Sequence, residues 1–299
     1  MVKRFLKYVE ITTKITSVFA FLLSIAFLFA SGQKINLTKT LIFFAAMFLF
    51  DLTTTAINNY VDTKTNEQVL QFKRKVALLI ILVLFITSAT LGIYLAYITD
   101  IVVLLLGGLC FLVGVFYSYG PIPISRLPLG EIFSGLFYGL FIPFIMLYIN
   151  MPENTYLTLE LSLKTIHLSL EVMPLITMLL LSVTPFCTTA NIMLANNICD
   201  LKNDIAVKRY TLPYYLGRNA LYLFAGLYYL AYASIILMVI WGILSPVCLL
   251  VLLTVIPVQK NINIFYKNQD KSTTFITSVK NYVIIMSAEC LLVFISGFA

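Results

Sequence analysis

Long runs of apolar residues take up most of this 299-residue chain. A helix that crosses the hydrocarbon core of a bilayer needs about 20 mostly apolar residues, and nine segments come close to that length. They are predicted near residues 16–31, 41–60, 76–98, 101–119, 129–149, 172–193, 219–241, 243–258 and 279–298. Because little chain remains outside them, the sequence predicts one all-α integral-membrane domain over 1–299, a polytopic bundle of nine transmembrane helices.

The composition excludes several other classes of protein. Hydrophobic residues make up 61% of the chain and charged residues 11%, whereas soluble domains are about 45–50% apolar and about 25% charged. A soluble enzyme, a disordered chain and a nucleic-acid-binding domain are therefore excluded, and the lipid bilayer is the expected environment. The five cysteines form no CxxC pair, so neither a zinc site nor a disulfide framework is predicted.

The basic residues predict the orientation in the membrane. If nine spans alternate, 17 of the 20 Lys and Arg residues fall in loops on one side, and Lys34, Lys39 and Lys164 fall on the other. Basic loops stay in the cytoplasm, so we expect a multi-pass protein of the cell membrane with a cytoplasmic N-terminus. On the opposite side, loop 150–171 alternates leucines with polar residues, which leaves a short interfacial strand or helix open.

Two polar motifs with the same spacing follow the second and sixth spans. The first places Asn58, Asp62 and Asn66 at intervals of four residues, and the second places Asn196, Asp200 and Asp204 at the same intervals. Residues four apart share one face of a helix. Paired asparagines, Asn58-Asn59 and Asn196-Asn197, begin the two motifs, and such weak internal symmetry is common in membrane folds built from repeated halves.

These motifs predict a site for a divalent cation. Like charges on one helix face repel, and the repulsion grows in a half-dry cavity. Carboxylate and amide oxygens suit Mg²⁺, which takes substrate phosphates as further ligands. An ordinary solvated helix end explains one such motif, but two copies with identical spacing favour a metal site facing the cytoplasm. Basic residues around the second motif are candidates to clamp a diphosphate: Lys202, Lys208 and Arg209.

Asp51 is a separate candidate, because it lies inside the second span. It precedes Asn58 by seven residues and Asp62 by eleven, which keeps it on the face of the motif but deeper in the membrane. A carboxylate at that depth is costly and is a functional hypothesis by default. We expect Asp51 to act as a base or to orient an acceptor; a structural hydrogen bond to a neighbouring helix is the alternative.

With these motifs in place, the chain resembles the UbiA superfamily of intramembrane prenyltransferases along nearly its whole length. Within it, the chain looks most like the 1,4-dihydroxy-2-naphthoate polyprenyltransferases of menaquinone synthesis. The resemblance is carried by EITTKITS at 10–17, YSYGPIPISRLPLGEIFSG at 117–135 and NNICDLKNDIAVKRYTLPYYLG at 196–217. The chain departs from the pattern at Asn66, where an aspartate is common, and at Cys199, where the naphthoate branch often has arginine.

The resemblance implies a Mg²⁺-dependent transfer of an isoprenoid chain from a polyprenyl diphosphate to an aromatic ring. For the naphthoate branch, the acceptor is 1,4-dihydroxy-2-naphthoate, which loses its carboxylate as carbon dioxide and gives a demethylmenaquinone. The metal–diphosphate set then comprises Asn58, Asp62, Asn196, Asp200 and Asp204, with Asn59 and Asn66 as weaker members. The resemblance also implies that Tyr117 lies near the reacting carbon. Because Lys14 flanks the first span on the cytoplasmic side, we expect it to bind diphosphate or the acceptor carboxylate, and Arg126, in a proline-rich loop, is expected to reach a phosphate.

Other readings stay open for some of these residues and for the chain. Lys14 is equally explained as an ordinary positive-inside lysine, Tyr117 as part of an interfacial belt, and Glu131 as a helix cap. The chain as a whole has three alternatives: prenylation of another aromatic acceptor, a cation-coupled transporter, and a silent scaffold subunit. Transporter sites lie near the midplane of the membrane, whereas both polar motifs are predicted at one face.

Overall fold

The computed structural model describes residues 1–63, 69–120 and 123–298. Within these ranges nine helices are long and apolar enough to cross a membrane, so the predicted fold class is confirmed. The spanning helices are α2 (Ile15–Ala30), α3 (Leu37–Asp62), α4 (Arg74–Tyr97), α5 (Ile101–Ser118), α6 (Gly130–Tyr148), α7 (Val172–Ala206), α9 (Asn219–Ile240), α10 (Pro246–Lys267) and α11 (Ile276–Ser296). Short helices α1 (Val2–Tyr8) and α8 (Leu212–Leu216) complete the set, and a 3₁₀ turn, Ile11–Lys14, precedes α2.

Two helices continue well beyond their predicted ends. Helix α7 runs to Ala206 and α10 to Lys267, whereas the predicted spans end near residues 193 and 258. Hydropathy indicates which residues lie within the lipid, and it does not indicate where the helix ends. No glycine or proline interrupts residues 186–206, and in α10 the buried Val258, Ile262 and Phe265 recur at helical spacing.

The long loop between α6 and α7 contains strands, which decides between the two predicted alternatives. Strands β1 (Leu157–Leu161) and β2 (Ile166–Leu170) form an antiparallel hairpin in which Leu159 lies opposite Leu168. The next pair in the register joins Glu160 to His167, so the apolar and polar residues take opposite faces. His167 is exposed.

The chain forms two compact units, and the first comprises residues 1–18 and 36–125. Its buried core joins Tyr8 and Val9 to apolar side chains of α3 and α4. The Tyr8 hydroxyl donates to the carbonyl of Ala56 at 3.0 Å. Gly114 lets α5 approach α3 closely, because a Cβ there would lie 2.6 Å from the ring of Phe50. This packing fixes the end of α3 that carries the first polar motif.

The second unit comprises residues 19–35 and 126–299, and α7 runs through its core. Asn191 of α7 donates its side-chain amide to the carbonyl of Phe224 in α9 at 2.9 Å. Gly139, in the π-helical segment of α6, lies against the backbone of Phe186, where a Cβ would come within 2.2 Å. These contacts hold the helix that carries the second motif. The single domain over 1–299 and the cytoplasmic N-terminus stay predictions.

Candidate active site

Lys14 and Asp51 form a buried ion pair in the first unit. The Lys14 ammonium lies 2.7 Å from Asp51 Oδ1, with 3% and 5% of the two side chains exposed. It also donates to the Asp51 carbonyl at 3.0 Å and to the Thr55 hydroxyl. Ser17 donates to the other carboxylate oxygen at 2.7 Å. Asp51 thus makes the bond to a neighbouring segment that the structural alternative expects, and Lys14 is not an ordinary surface lysine.

The first polar motif lies at the end of α3, where its two asparagines have different partners. Asn58 accepts a hydrogen bond from the Ser118 hydroxyl, at the end of α5, at 3.0 Å. Asn59 donates to the Tyr8 carbonyl at 2.8 Å and to the Glu10 carboxylate at 3.2 Å. Asp62 is the last residue of the helix and is half-buried. Asn66, predicted as a further metal ligand, lies outside the described residues.

The second polar motif holds a lysine ammonium between two of its predicted metal ligands. Lys271 lies 2.7 Å from Asp200 Oδ2 and also donates to the amide oxygen of Asn196. Lys271 belongs to the segment between α10 and α11, 71 residues from Asp200 in the chain. An amide oxygen and a carboxylate at this spacing on α7 therefore act together on one cation.

The third predicted ligand of this motif, Asp204, has a different neighbour. It is 6% exposed, and its carboxylate lies 3.8 Å from the guanidinium of Arg209. The Arg209 amide donates to the Asp204 carbonyl at 2.8 Å. Beside it, Asn197 donates to the buried carboxylate of Glu131 at 2.9 Å. Lys271 thus reaches Asn196 and Asp200, while Asp204 and Arg209 form a separate pair.

The remaining predicted residues lie near helix ends or in the turns between helices. Tyr117 is half-buried, immediately before Ser118. Three predicted phosphate-binding residues present exposed side chains: Arg126, Lys202 and Lys208. Sequence reasoning counted Lys271 only among the basic loop residues and missed its contact with the motif. Because 71 residues separate Lys271 from Asp200, no sequence pattern predicts that contact. Lys271 differs from the other basic loop residues only in its turn-forming neighbours, Asp270 and Ser272.

The donor set suits a hard cation. Among the described residues, no group of three or more His, Cys, Asp and Glu side chains is gathered for a metal. The second motif instead offers one carboxylate and one amide oxygen, which already hold a positive charge in the form of Lys271. Such oxygens are ligands that Mg²⁺ uses together with water and substrate phosphates, so Asn196 and Asp200 fit this ion.

The profile of the UbiA prenyltransferase family matches residues 17–279, and the chain belongs to this family. It is therefore a multi-pass membrane enzyme that transfers prenyl groups. It is 26% identical over 249 residues to a 1,4-dihydroxy-2-naphthoate octaprenyltransferase of Bacillus subtilis (strain 168), a match that covers 79% of this chain and 74% of the relative.

Solved structures of low sequence identity share the fold. One, described as digeranylgeranylglyceryl phosphate synthase in membranes, has a TM-score of 0.67 at 17% identity and covers 99% of this chain and 98% of its own. Another, a UbiA homologue from Archaeoglobus fulgidus bound to GPP and Mg²⁺, has a TM-score of 0.59 at 14% identity, with 99% and 100% covered. The nine-helix architecture is thus that of UbiA proteins.

Proposed function

We propose that this enzyme transfers a polyprenyl chain from a polyprenyl diphosphate to 1,4-dihydroxy-2-naphthoate, with Mg²⁺ as the cofactor. The allylic carbon–oxygen bond breaks and its electron pair leaves with diphosphate. The ring carbon forms the new carbon–carbon bond, and the carboxylate leaves as carbon dioxide. The product is the quinol form of a demethylmenaquinone. The name of the Bacillus subtilis relative supports the acceptor.

The observation that carries the proposal is the contact of the Lys271 ammonium with Asn196 and Asp200. An ammonium between an amide oxygen and a carboxylate marks a place where positive charge is stabilised. Mg²⁺ bound there supplies charge neutralisation for the departing diphosphate. The Archaeoglobus fulgidus homologue, which binds GPP and Mg²⁺, supports the same cofactor and donor class for this chain.

Other residues of the chain have supporting roles in this proposal. In the first motif, Asp62 supplies the carboxylate and Asn58 supplies the amide oxygen. The exposed Arg126, Lys202 and Lys208 attract the anionic donor, since charge-assisted bonds to phosphate are strong. Arg209 keeps the buried Asp204 compensated. The Lys14–Asp51 pair fixes the segment before α2 against α3, and Tyr117 faces the reacting carbon. The enzyme lies in the cell membrane with these motifs toward the cytoplasm.

Metal removal tests the cofactor. Purified enzyme in detergent is stripped with EDTA and assayed with a labelled polyprenyl diphosphate, and turnover should vanish. Mg²⁺ or Mn²⁺ should restore it, because both ions accept oxygen ligands. Full turnover in metal-free buffer would exclude the proposed cofactor.

A carboxyl-labelled acceptor tests the reaction itself. Label should be released as carbon dioxide in step with the formation of a product of demethylmenaquinol mass. Label retained in a prenylated product would exclude the decarboxylative route and favour another aromatic acceptor. A panel of aromatic acids, with products identified by mass, then gives the acceptor.

A further inference from the structure

Lys271 is carried by a turn that its neighbours hold in place. Asp270 Oδ1 accepts four hydrogen bonds, from the backbone amides and the hydroxyls of Ser272 and Thr273, at 2.6–3.0 Å. The Thr274 hydroxyl donates to the carbonyl of Asn268 at 2.9 Å. This network fixes the backbone on both sides of Lys271, so the side chain starts from a defined position.

The Lys271 ammonium meets its partners from that turn. It touches Asn196 and Asp200, and it lies 4.9 Å from the ring centroid of Phe275, within the range of a cation–π contact. With 45% of its side chain and 29% of that of Asp200 exposed, the pair sits in reach of water. An ion pair in such a place is weak, so another cation can displace it.

We propose that Lys271 is a built-in counter-ion of the second motif that exchanges with the metal–diphosphate. Without ligand, its ammonium neutralises Asp200 and occupies the oxygens that a divalent ion needs. When the metal arrives with diphosphate, the ammonium leaves these oxygens and pairs with a phosphate oxygen. A lysine ammonium can form a charge-assisted hydrogen bond with a carboxylate or with a phosphate. The metal alone then competes with Lys271, whereas the metal with diphosphate does not. This inference rests on the proposed function.

Metal binding without any acceptor or prenyl substrate gives the test. The full-length protein in detergent is titrated with Mn²⁺, and free Mn²⁺ is followed by electron paramagnetic resonance. Lys271→Met should bind Mn²⁺ up to about fivefold more tightly than the wild type, which is the scale of a lost surface ion pair. Binding of inorganic diphosphate in the presence of Mg²⁺ should weaken by a similar factor.

Two variants serve as controls for charge. Lys267→Met removes one exposed positive charge at the end of α10, four residues from Lys271, and should leave Mn²⁺ affinity near that of the wild type. Lys271→Arg keeps a cation in place and should also bind Mn²⁺ like the wild type. Equal tightening in Lys267→Met and Lys271→Met would mean a general charge effect and would overturn the proposal.

The other outcomes separate this inference from the proposed function. If the wild type binds Mn²⁺, Asp200→Asn loses it and Lys271→Met leaves it unchanged or weaker, the metal site stands and the exchange is wrong. If Mn²⁺ tightens but diphosphate binding does not weaken, the lysine does not reach the phosphate and the exchange is wrong in that half. If no variant binds Mn²⁺ with or without diphosphate, the metal site and the exchange both fail.

Discussion

Two lysine–aspartate pairs in this enzyme have the same length and opposite surroundings. Lys14 and Asp51 in the first unit, and Lys271 and Asp200 in the second, each place nitrogen and oxygen 2.7 Å apart. The first pair is 3% and 5% exposed, and the second is 45% and 29% exposed. Distance alone therefore says little about what a pair does, and burial separates them.

The burial of each pair decides whether it can exchange partners. Removing one member of a buried pair leaves an uncompensated charge in a poor solvent, which costs about 3–5 kcal/mol. An exposed pair contributes about 0.2–1 kcal/mol and opens readily. Lys14 and Asp51 thus suit a permanent frame for the chain entering α2, whereas Lys271 and Asp200 suit a pair that gives way to a ligand.

The largest expected effect comes from breaking the buried pair. Lys14→Met should lower the free energy of unfolding by about 3–5 kcal/mol, because Asp51 stays buried without its cation. Thermal melting in detergent measures the loss. Lys7→Met, which removes an exposed charge nearby, is the matched control and should melt like the wild type. An unchanged melting temperature for Lys14→Met, with a raised KM for the acceptor, would favour substrate binding by Lys14, as its position before the first span predicts.

The next effect concerns activity at the exposed pair. Asp200→Ala should reduce turnover by at least about 10²-fold, the scale for losing one electrostatic stabiliser of a transition state. Its melting temperature should stay near that of the wild type, because the pair that it breaks is exposed. Asp62→Ala gives the parallel measurement in the first motif. Near-normal turnover in both well-folded variants would indicate that the two motifs are ordinary solvated helix ends.

Most of the fold was predictable because hydropathy records where lipid surrounds the chain. The nine spans were found for that reason, and the motif positions on α3 and α7 followed from a spacing of four residues. The ends of α7 and α10 were not predictable in this way, since a helix continues into water as long as its residues permit it. The hairpin remained undecided because alternation over a few residues fits more than one structure.

The site was predictable only as far as local spacing reaches. Asn196 and Asp200 share a face by helical geometry, and both now contact one cation. Lys271 was missed because its contact with Asp200 joins residues 71 positions apart, and no local pattern encodes such a contact. Asp51 was identified as unusual by its depth, yet its partner Lys14 was identified separately, 37 residues away.

A smaller effect sharpens the difference between the two motifs. Asn58 accepts from a neutral hydroxyl, that of Ser118, where Asn196 accepts from an ammonium. Ser118→Ala should cost about 1 kcal/mol of stability, the net value of one hydrogen bond, and should not tighten Mn²⁺ binding, because no competing cation is removed. Mn²⁺ affinity that rises as in Lys271→Met would show that the two motifs are controlled alike.

The smallest effect concerns the turn that carries the exposed pair. Hydroxyls of Ser272 and then Thr273 hold the pKa of the Asp270 carboxyl below its usual value of about 4. Because this pKa is lowered in the folded protein, the stabilisation is present above about pH 4 and is lost as the pH falls through the folded value. Asp270→Asn keeps an acceptor oxygen but does not titrate. The difference in melting temperature between wild type and this variant should therefore be largest near pH 6 and shrink toward pH 3. A melting difference that grows on acidification would contradict this account of the turn.

Asp270 stays ionised at neutral pH and does not titrate there. The effect of Lys271→Met on Mn²⁺ affinity should therefore be equal at about pH 6 and about pH 7.5.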